Sequence, residues 1–196
     1  MTKKWNLFLN PSFLLAVLCV FVAANADAQN IKSDEPIVLL IGIDGLRADT
    51  FESIKAPNMQ SLIKAGVFAK MIPAMPTKTF TNFYSLATGL HPKHHGMISN
   101  SPYDRALKGR FNSRRDQSNP LWWHGEPIWI TAEKQGITTA TYFWVGSEVA
   151  HNGIRPTFWK PYDQDKDYAE RVEEVLQWLS LPKIKRPQLI TLYFSG

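Results

Sequence analysis

A single cysteine, Cys19, stands in 196 residues. It lies inside an N-terminal apolar run, so the chain beyond residue 28 has no thiol chemistry and no disulfide framework. Long hydrophobic runs are also missing: Phe13 to Ala24, "FLLAVLCVFVAA", is too short for a comfortable membrane span. Charge of one sign is scarce, with 22 basic against 17 acidic residues and a formal net charge of +5. The excess is spread out rather than gathered into the Lys/Arg stripe of a nucleic-acid reader, so no duplex partner is expected. No internal repeat and no low-complexity segment occurs. At 44% apolar content the composition is that of a globular α/β domain or a large piece of one.

What is present begins with a leader. Lys3 and Lys4 precede the apolar run and small residues follow in "ANADAQ", the pattern of a secretory signal peptide over residues 1–28 with cleavage after Ala26 or Ala28. An uncleaved anchor is the alternative. Removing residues 1–28 takes away two lysines and one aspartate, which lowers the formal charge from +5 to +4. The expected location is periplasmic or secreted, with no membrane span after cleavage.

The rest, residues 29–196, alternates two kinds of segment. "PIVLLIGIDG" is a continuous apolar run ended by Asp-Gly, as in a strand buried on both faces of a parallel sheet. "APNMQSLIKAG" predicts a short helix closed by Gly66, and "VFAKMIPAMP" predicts a second strand. A helix is expected to start at residues 79–88. "EPIWITAEKQG" and "ITTATYFWVG" repeat helix then strand, and "KDYAERVEEVLQWLSL" carries Val172, Val175, Leu176 and Leu179 at helical spacing. Residues 108–120 predict a surface loop, and "QLITLYFSG" a last strand. The expected fold class is α/β, a mostly parallel sheet flanked by helices. Ligands of such sheets bind beyond the C-terminal strand ends.

Candidate site residues follow from that geometry. Asp44 closes the first strand, where a carboxylate either faces the ligand crevice as a metal ligand or simply forms a turn with Gly45. Thr79 falls at a helix start, where its hydroxyl lies near unsatisfied backbone N–H groups. It is read either as an N-cap or as part of an anion site. His91, His94 and His95 sit in a Pro/Gly loop, read as surface and as matching no compact zinc pattern. The aromatic segments "TYFWVGSE" and "TFWKPYD" offer stacking faces for a base or pack the core.

Taken together, "IDG", "PTKTF", "NFYSLATGLHPKHHGMISN", "EPIWITAEKQG", "FWVGSE" and "NGIRPTFWKPY" resemble, in order and spacing from about Pro36 to Gly196, the nucleotide pyrophosphatase/phosphodiesterase family of the alkaline phosphatase superfamily. The resemblance implies an alkaline-phosphatase-like fold. It also implies Thr79 as nucleophile, Asp44 and the Thr79 oxygen as ligands of a two-zinc site, and Asn100 as donor to the phosphate oxygen. Phe80 and Tyr162 would stack on the two faces of a nucleobase, with Trp144 nearby. Two Zn²⁺ ions about 4 Å apart would activate the hydroxyl and neutralise the transition state. A nucleotidyl-threonine would form and hydrolysis would release a nucleoside 5′-monophosphate. Thr81, Phe83 and Val145 depart from the family's usual proline, histidine and proline, and bear on substrate preference. The family's next segment, of Asp-x-x-Gly-His type, and its later ligands do not occur in this sequence. The expectation is therefore a C-terminally incomplete fold, with the chain as given inactive or nearly so. The alternatives are another phosphatase or lipid-headgroup phosphodiesterase of the superfamily, and a non-catalytic nucleotide- or phosphate-binding fragment. The sequence carries no indication of oligomeric state.

Overall fold

Runs containing β-branched residues at 38–43, 139–142 and 189–194 supply three of the four strands of one sheet in the computed structural model, which describes residues 36–196. The leader expected over residues 1–28 lies outside the described residues. Strand β1 (Val38–Ile43) pairs with β6 (Leu189–Phe194), β6 with β4 (Thr139–Tyr142), and β4 with β5 (Phe158–Lys160), every pair parallel, in the order β1-β6-β4-β5. Register sets Gly42 beside Tyr193 and Thr141 beside Thr191. A second, two-stranded antiparallel sheet joins β2 (Tyr103–Asp104) to β3 (Gly109–Arg110). The helices are α1 (Ala48–Ser53), α2 (Pro57–Ala65), α3 (Thr79–Thr88), α4 (Pro92–His95), α5 (Ser113–Asp116), α6 (Ile128–Lys134) and α7 (Tyr168–Leu179). The mostly parallel sheet flanked by helices is the expected class. Among the described residues, no helix is long and apolar enough to cross a membrane.

Alternate residues of a strand face opposite sides, and the two sides meet different helices. On one, Tyr193 meets the edge of Phe83 from α3 at 4.9 Å. On the other, Tyr142 and Phe158 pack against Trp178 of α7 at 5.7 and 5.9 Å. Helix α3 approaches β1 so closely that a Cβ on Gly42 would lie 2.5 Å from Phe83 Cε1; only glycine admits the ring there. Trp122, Trp123, Trp129, Trp144 and Trp178 are all buried, so most of the tryptophans pack the core.

Several expectations are corrected. The segment "VFAKMIPAMP" is no strand: Val67 and Ile72 are 96% and 95% exposed. Pro73 and Pro76 lack ladder donors, and the segment is tied to α3 instead, where Asn82 accepts from the Ala74 N–H at 2.7 Å and donates to the Ala74, Pro76 and Lys78 carbonyls. In α7 the buried stripe is Arg171, Val175 and Trp178, while Val172 and Leu176 are 40% and 49% exposed. Arg171 wins its inward place because its guanidinium finds acceptors, the Lys166 carbonyl and the Tyr193 carbonyl at 3.2 Å, and lies over the Phe143 and Tyr168 rings. The 108–120 stretch is not wholly surface, since it holds β3, α5 and the buried Phe111, whose ring meets Trp122 and Trp123. Strand β5 was not foreseen because "TFWKPYD" reads as aromatic faces for stacking or core packing, with no alternation to mark a strand.

Candidate active site

Helix α3 opens at Thr79 with Lys78 as its cap residue, and no side chain caps it. The N-cap reading of Thr79 therefore fails. Its hydroxyl turns away from the helix and donates to Asp44 Oδ2 at 2.8 Å. Asp44 continues β1 by one rung, its N–H bonded to the Phe194 carbonyl at 2.9 Å, so the sheet itself delivers the carboxylate to the helix N-terminus. A second donor reaches the same oxygen: Tyr193 Oη, from the end of β6, at 2.9 Å. Burial, together with the Asp44 charge and this hydrogen bond, pushes the Tyr193 phenol well above its ordinary value. It therefore stays a donor at neutral pH. With one carboxylate oxygen holding its proton, Thr79 Oγ1 keeps its lone pairs for another group.

Asn100 comes from the loop after α4. Its Oδ1 accepts the Phe80 N–H at 3.0 Å, one of the first-turn donors that a helix cannot satisfy internally. The Nδ2 amide is left as a donor. Asp44, Thr79 and Asn100 line one cavity of about 920 Å³, with Arg47, Lys70 and Lys78 among its walls. Arg47 is paired with Asp49. A hydroxyl held by a carboxylate, an amide donor and nearby cations make an arrangement suited to an attack on a phosphoryl or acyl centre.

The aromatic candidates Phe80, Tyr162 and Trp144 are not among the residues lining that cavity. Phe80, half-buried, meets Phe111 at 5.6 Å and Trp123 at 6.1 Å. Tyr162, also half-buried, meets Phe143 at 5.3 Å and Tyr193 at 6.5 Å. No ring contact joins Phe80 to Tyr162 among the described residues. Trp144 is buried behind Phe83, its indole N–H donated to the Phe83 carbonyl at 3.0 Å.

Residues that sequence reasoning missed hold these groups in place. Tyr193 was read only as strand filling in "LITLYFSG"; a hydroxyl-bearing ring at the C-terminal end of an apolar strand was the available signal. Glu148 Oε1 accepts the Tyr162 N–H at 2.9 Å, and burial raises the carboxyl's pKa. His95, expected at the surface, is fully buried. His91 and His94 are exposed.

The donor set was tested against the two-zinc site that the resemblance implies. Asp44 and Thr79 supply two oxygens. Among the described residues no group of three His, Cys, Asp or Glu side chains is placed to hold a metal, whereas zinc takes three or four protein ligands. These residues by themselves do not fit a zinc pair.

Comparison with known proteins agrees with the fold. Residues 38–196 match the family described as type I phosphodiesterase / nucleotide pyrophosphatase. Ectonucleotide pyrophosphatase/phosphodiesterase family member 3 of Bos taurus is 45% identical over 164 residues, which cover 82% of this chain and 19% of that protein. A venom phosphodiesterase of Crotalus durissus collilineatus is 49% identical over 162 residues, 81% of this chain and 20% of that protein. The chain thus spans about a fifth of the length of these curated relatives. Among solved structures, murine ectonucleotide pyrophosphatase/phosphodiesterase 5, an inactive variant in complex with AMP, matches with a TM-score of 0.77 at 28% identity, over 83% of this chain and 44% of that one. Its human counterpart matches with a TM-score of 0.76 at 29% identity, over 82% of this chain and 43% of that one.

Proposed function

Starting from the fact that the chain belongs to the type I phosphodiesterase / nucleotide pyrophosphatase family, we propose that its cavity is the nucleophile side of a site that cuts phosphodiester or pyrophosphate bonds and releases a nucleoside 5′-monophosphate. The observation that carries this reading is the Thr79–Asp44 hydrogen bond beside Asn100 in one cavity. Thr79 Oγ1 attacks phosphorus as its proton passes to Asp44 Oδ2, a bond to the threonine forms as the bond to the leaving oxygen breaks, and water later cleaves the threonine–phosphate bond to release the nucleotide and restore the hydroxyl. Asp44 orients the hydroxyl. Asn100 Nδ2 donates to the phosphoryl oxygen that gains charge, an interaction whose loss typically costs about 3 kcal/mol in rate. Phe80 and Tyr162 stack on the base, worth ~1–3 kcal/mol per ring by analogy with single-strand binders, with Trp144 nearby. The relative solved with AMP and the ecto- and venom enzymes support a nucleotide substrate and an exported location, periplasmic or secreted. Zinc is the metal proposed by resemblance; Asp44 and Thr79 would offer it two oxygens, fewer than the three or four protein ligands it takes, so turnover resting on these residues alone is at most slight.

The test supplies zinc to the intact chain and compares p-nitrophenyl thymidine 5′-monophosphate with p-nitrophenyl phosphate, alongside AMP binding followed by tryptophan fluorescence. Preference for the nucleotidyl ester, lost in Thr79→Ala, is expected. Preference for the aryl monoester would instead favour a phosphomonoesterase, and AMP binding no tighter than adenosine would overturn the nucleotide reading.

A further inference from the structure

His95 is buried without a charge partner, in a place where it touches both halves of the site. Its Nδ1 accepts the Met97 N–H at 3.1 Å and its Nε2 lies 2.8 Å from Ser85 Oγ. An accepting Nδ1 leaves the proton on Nε2, so the ring donates to Ser85. Ser85 belongs to α3, the helix that begins at Thr79. Met97 begins the loop that ends at Asn100. The turn between them depends on Gly96, which has φ +84° and where a Cβ would lie 2.8 Å from His124 Cδ2. The loop and the helix are joined again at the site by the Phe80 N–H bond to Asn100 Oδ1.

We infer that His95 is a positioning residue which, as the neutral Nε2–H tautomer, locks the Asn100 loop onto the Thr79 helix and releases it when protonated. The inference rests on Thr79 and Asn100 being the working groups proposed above. A second ring proton would set an Nδ1–H against the Met97 N–H, donor facing donor, on a ring that is fully buried. Tyr84 of α3 faces the ring edge-on at 5.2 Å, and the His124 backbone N–H bonds the His95 carbonyl. His91 and His94 flank it on its own turn. Burial raises the Tyr84 phenol, so it stays neutral, and no ion pair of His95 exists among the described residues. Burial lowers the His95 pKa, outweighing the backbone groups of His95 and Thr81 that raise it. A folded value below the unfolded one means that stability is complete above the ordinary histidine range and is lost as pH falls through the folded pKa.

The test is nuclear magnetic resonance on the intact chain. Imidazole ¹⁵N shifts read the tautomer, and amide hydrogen exchange reads Phe80, whose N–H has Asn100 as its partner. The expected result is an Nε2–H ring at neutral pH. On acidification, Phe80 protection should fall several-fold to roughly tenfold in step with His95 protonation, while Ile190 in β6 stays protected. An Nδ1–H tautomer, or Phe80 protection that ignores His95 titration, overturns the inference. Ser85→Ala is the second arm, expected to loosen Phe80 without removing the buried ring. Neither readout needs turnover, so this inference and the phosphodiesterase reading can each fail alone.

Discussion

Strands β1 and β6 are six residues each, run parallel, and share a full register, yet β6 is buried almost throughout while β1 buries only Gly42. By sequence the two are near equals, "VLLIGI" and "LITLYF". The difference is position: β6 has β1 on one side, β4 on the other and helices α3 and α7 over its faces, whereas among the described residues β1 is the sheet edge. Burial is a property of the place a strand takes, and an apolar run only qualifies for the inner one. The site draws on both strands. Asp44 comes from the exposed strand's end and Tyr193 from the buried one, so the carboxylate that can be reached by a ligand is held by a phenol that is shielded from water.

That contrast can be broken by substitution, read as shifts in urea unfolding midpoint. The largest effect is expected at Ile190, fully buried in β6: Ile190→Ala should cost about 2–5 kcal/mol, whereas Leu39→Ala, its register partner in β1 and 41% exposed, should cost under about 1 kcal/mol. Equal losses would mean that β1 is covered as β6 is. Next comes the one buried position of β1. Gly42→Ala drives a methyl into the Phe83 ring, itself wedged against Trp144 and Tyr193, and should cost roughly 1–3 kcal/mol as overpacking. A neutral outcome would show that α3 can retreat from the sheet. Tyr193→Phe keeps the ring and removes one donor to Asp44, for about 1 kcal/mol of stability. The change should also leave Thr79 as the sole donor to Asp44 Oδ2, visible in a crystal structure as movement of the carboxylate. The smallest effect belongs to the 67–76 segment: Ile72→Lys should stay within about 0.5 kcal/mol of the parent, because the side chain has little to lose.

The same contrast explains what was legible in the sequence. Helices α3, α6 and α7 and strands β1, β4 and β6 stood out because their periods and breakers are local properties of the chain. Asp44 and Thr79 were marked by their places at a strand end and a helix start, and Asn100 by resemblance. The "VFAKMIPAMP" run failed because a strand needs a neighbour, and Asn82 drew that segment to α3 instead. The α7 stripe was misread by one position because Arg171 counts as polar in any pattern, although the Lys166 and Tyr193 carbonyls satisfy it inside. His95 was read as surface because a histidine in a Pro/Gly loop carries no sign of what its two nitrogens will meet.

By itself the sequence determined the α/β class and the family, and placed Asp44 and Thr79 at a strand end and a helix start, since these depend on local spacing and residue type. Tertiary structure alone decided that Asp44 Oδ2 is shared by Thr79 and Tyr193, 35 and 149 residues away. It also decided that His95 joins the two segments carrying Thr79 and Asn100, and that β6 rather than β1 is the inner strand. Each of these is a meeting of groups distant in sequence, and hydrogen bonds and burial belong to the groups that meet, not to either residue alone.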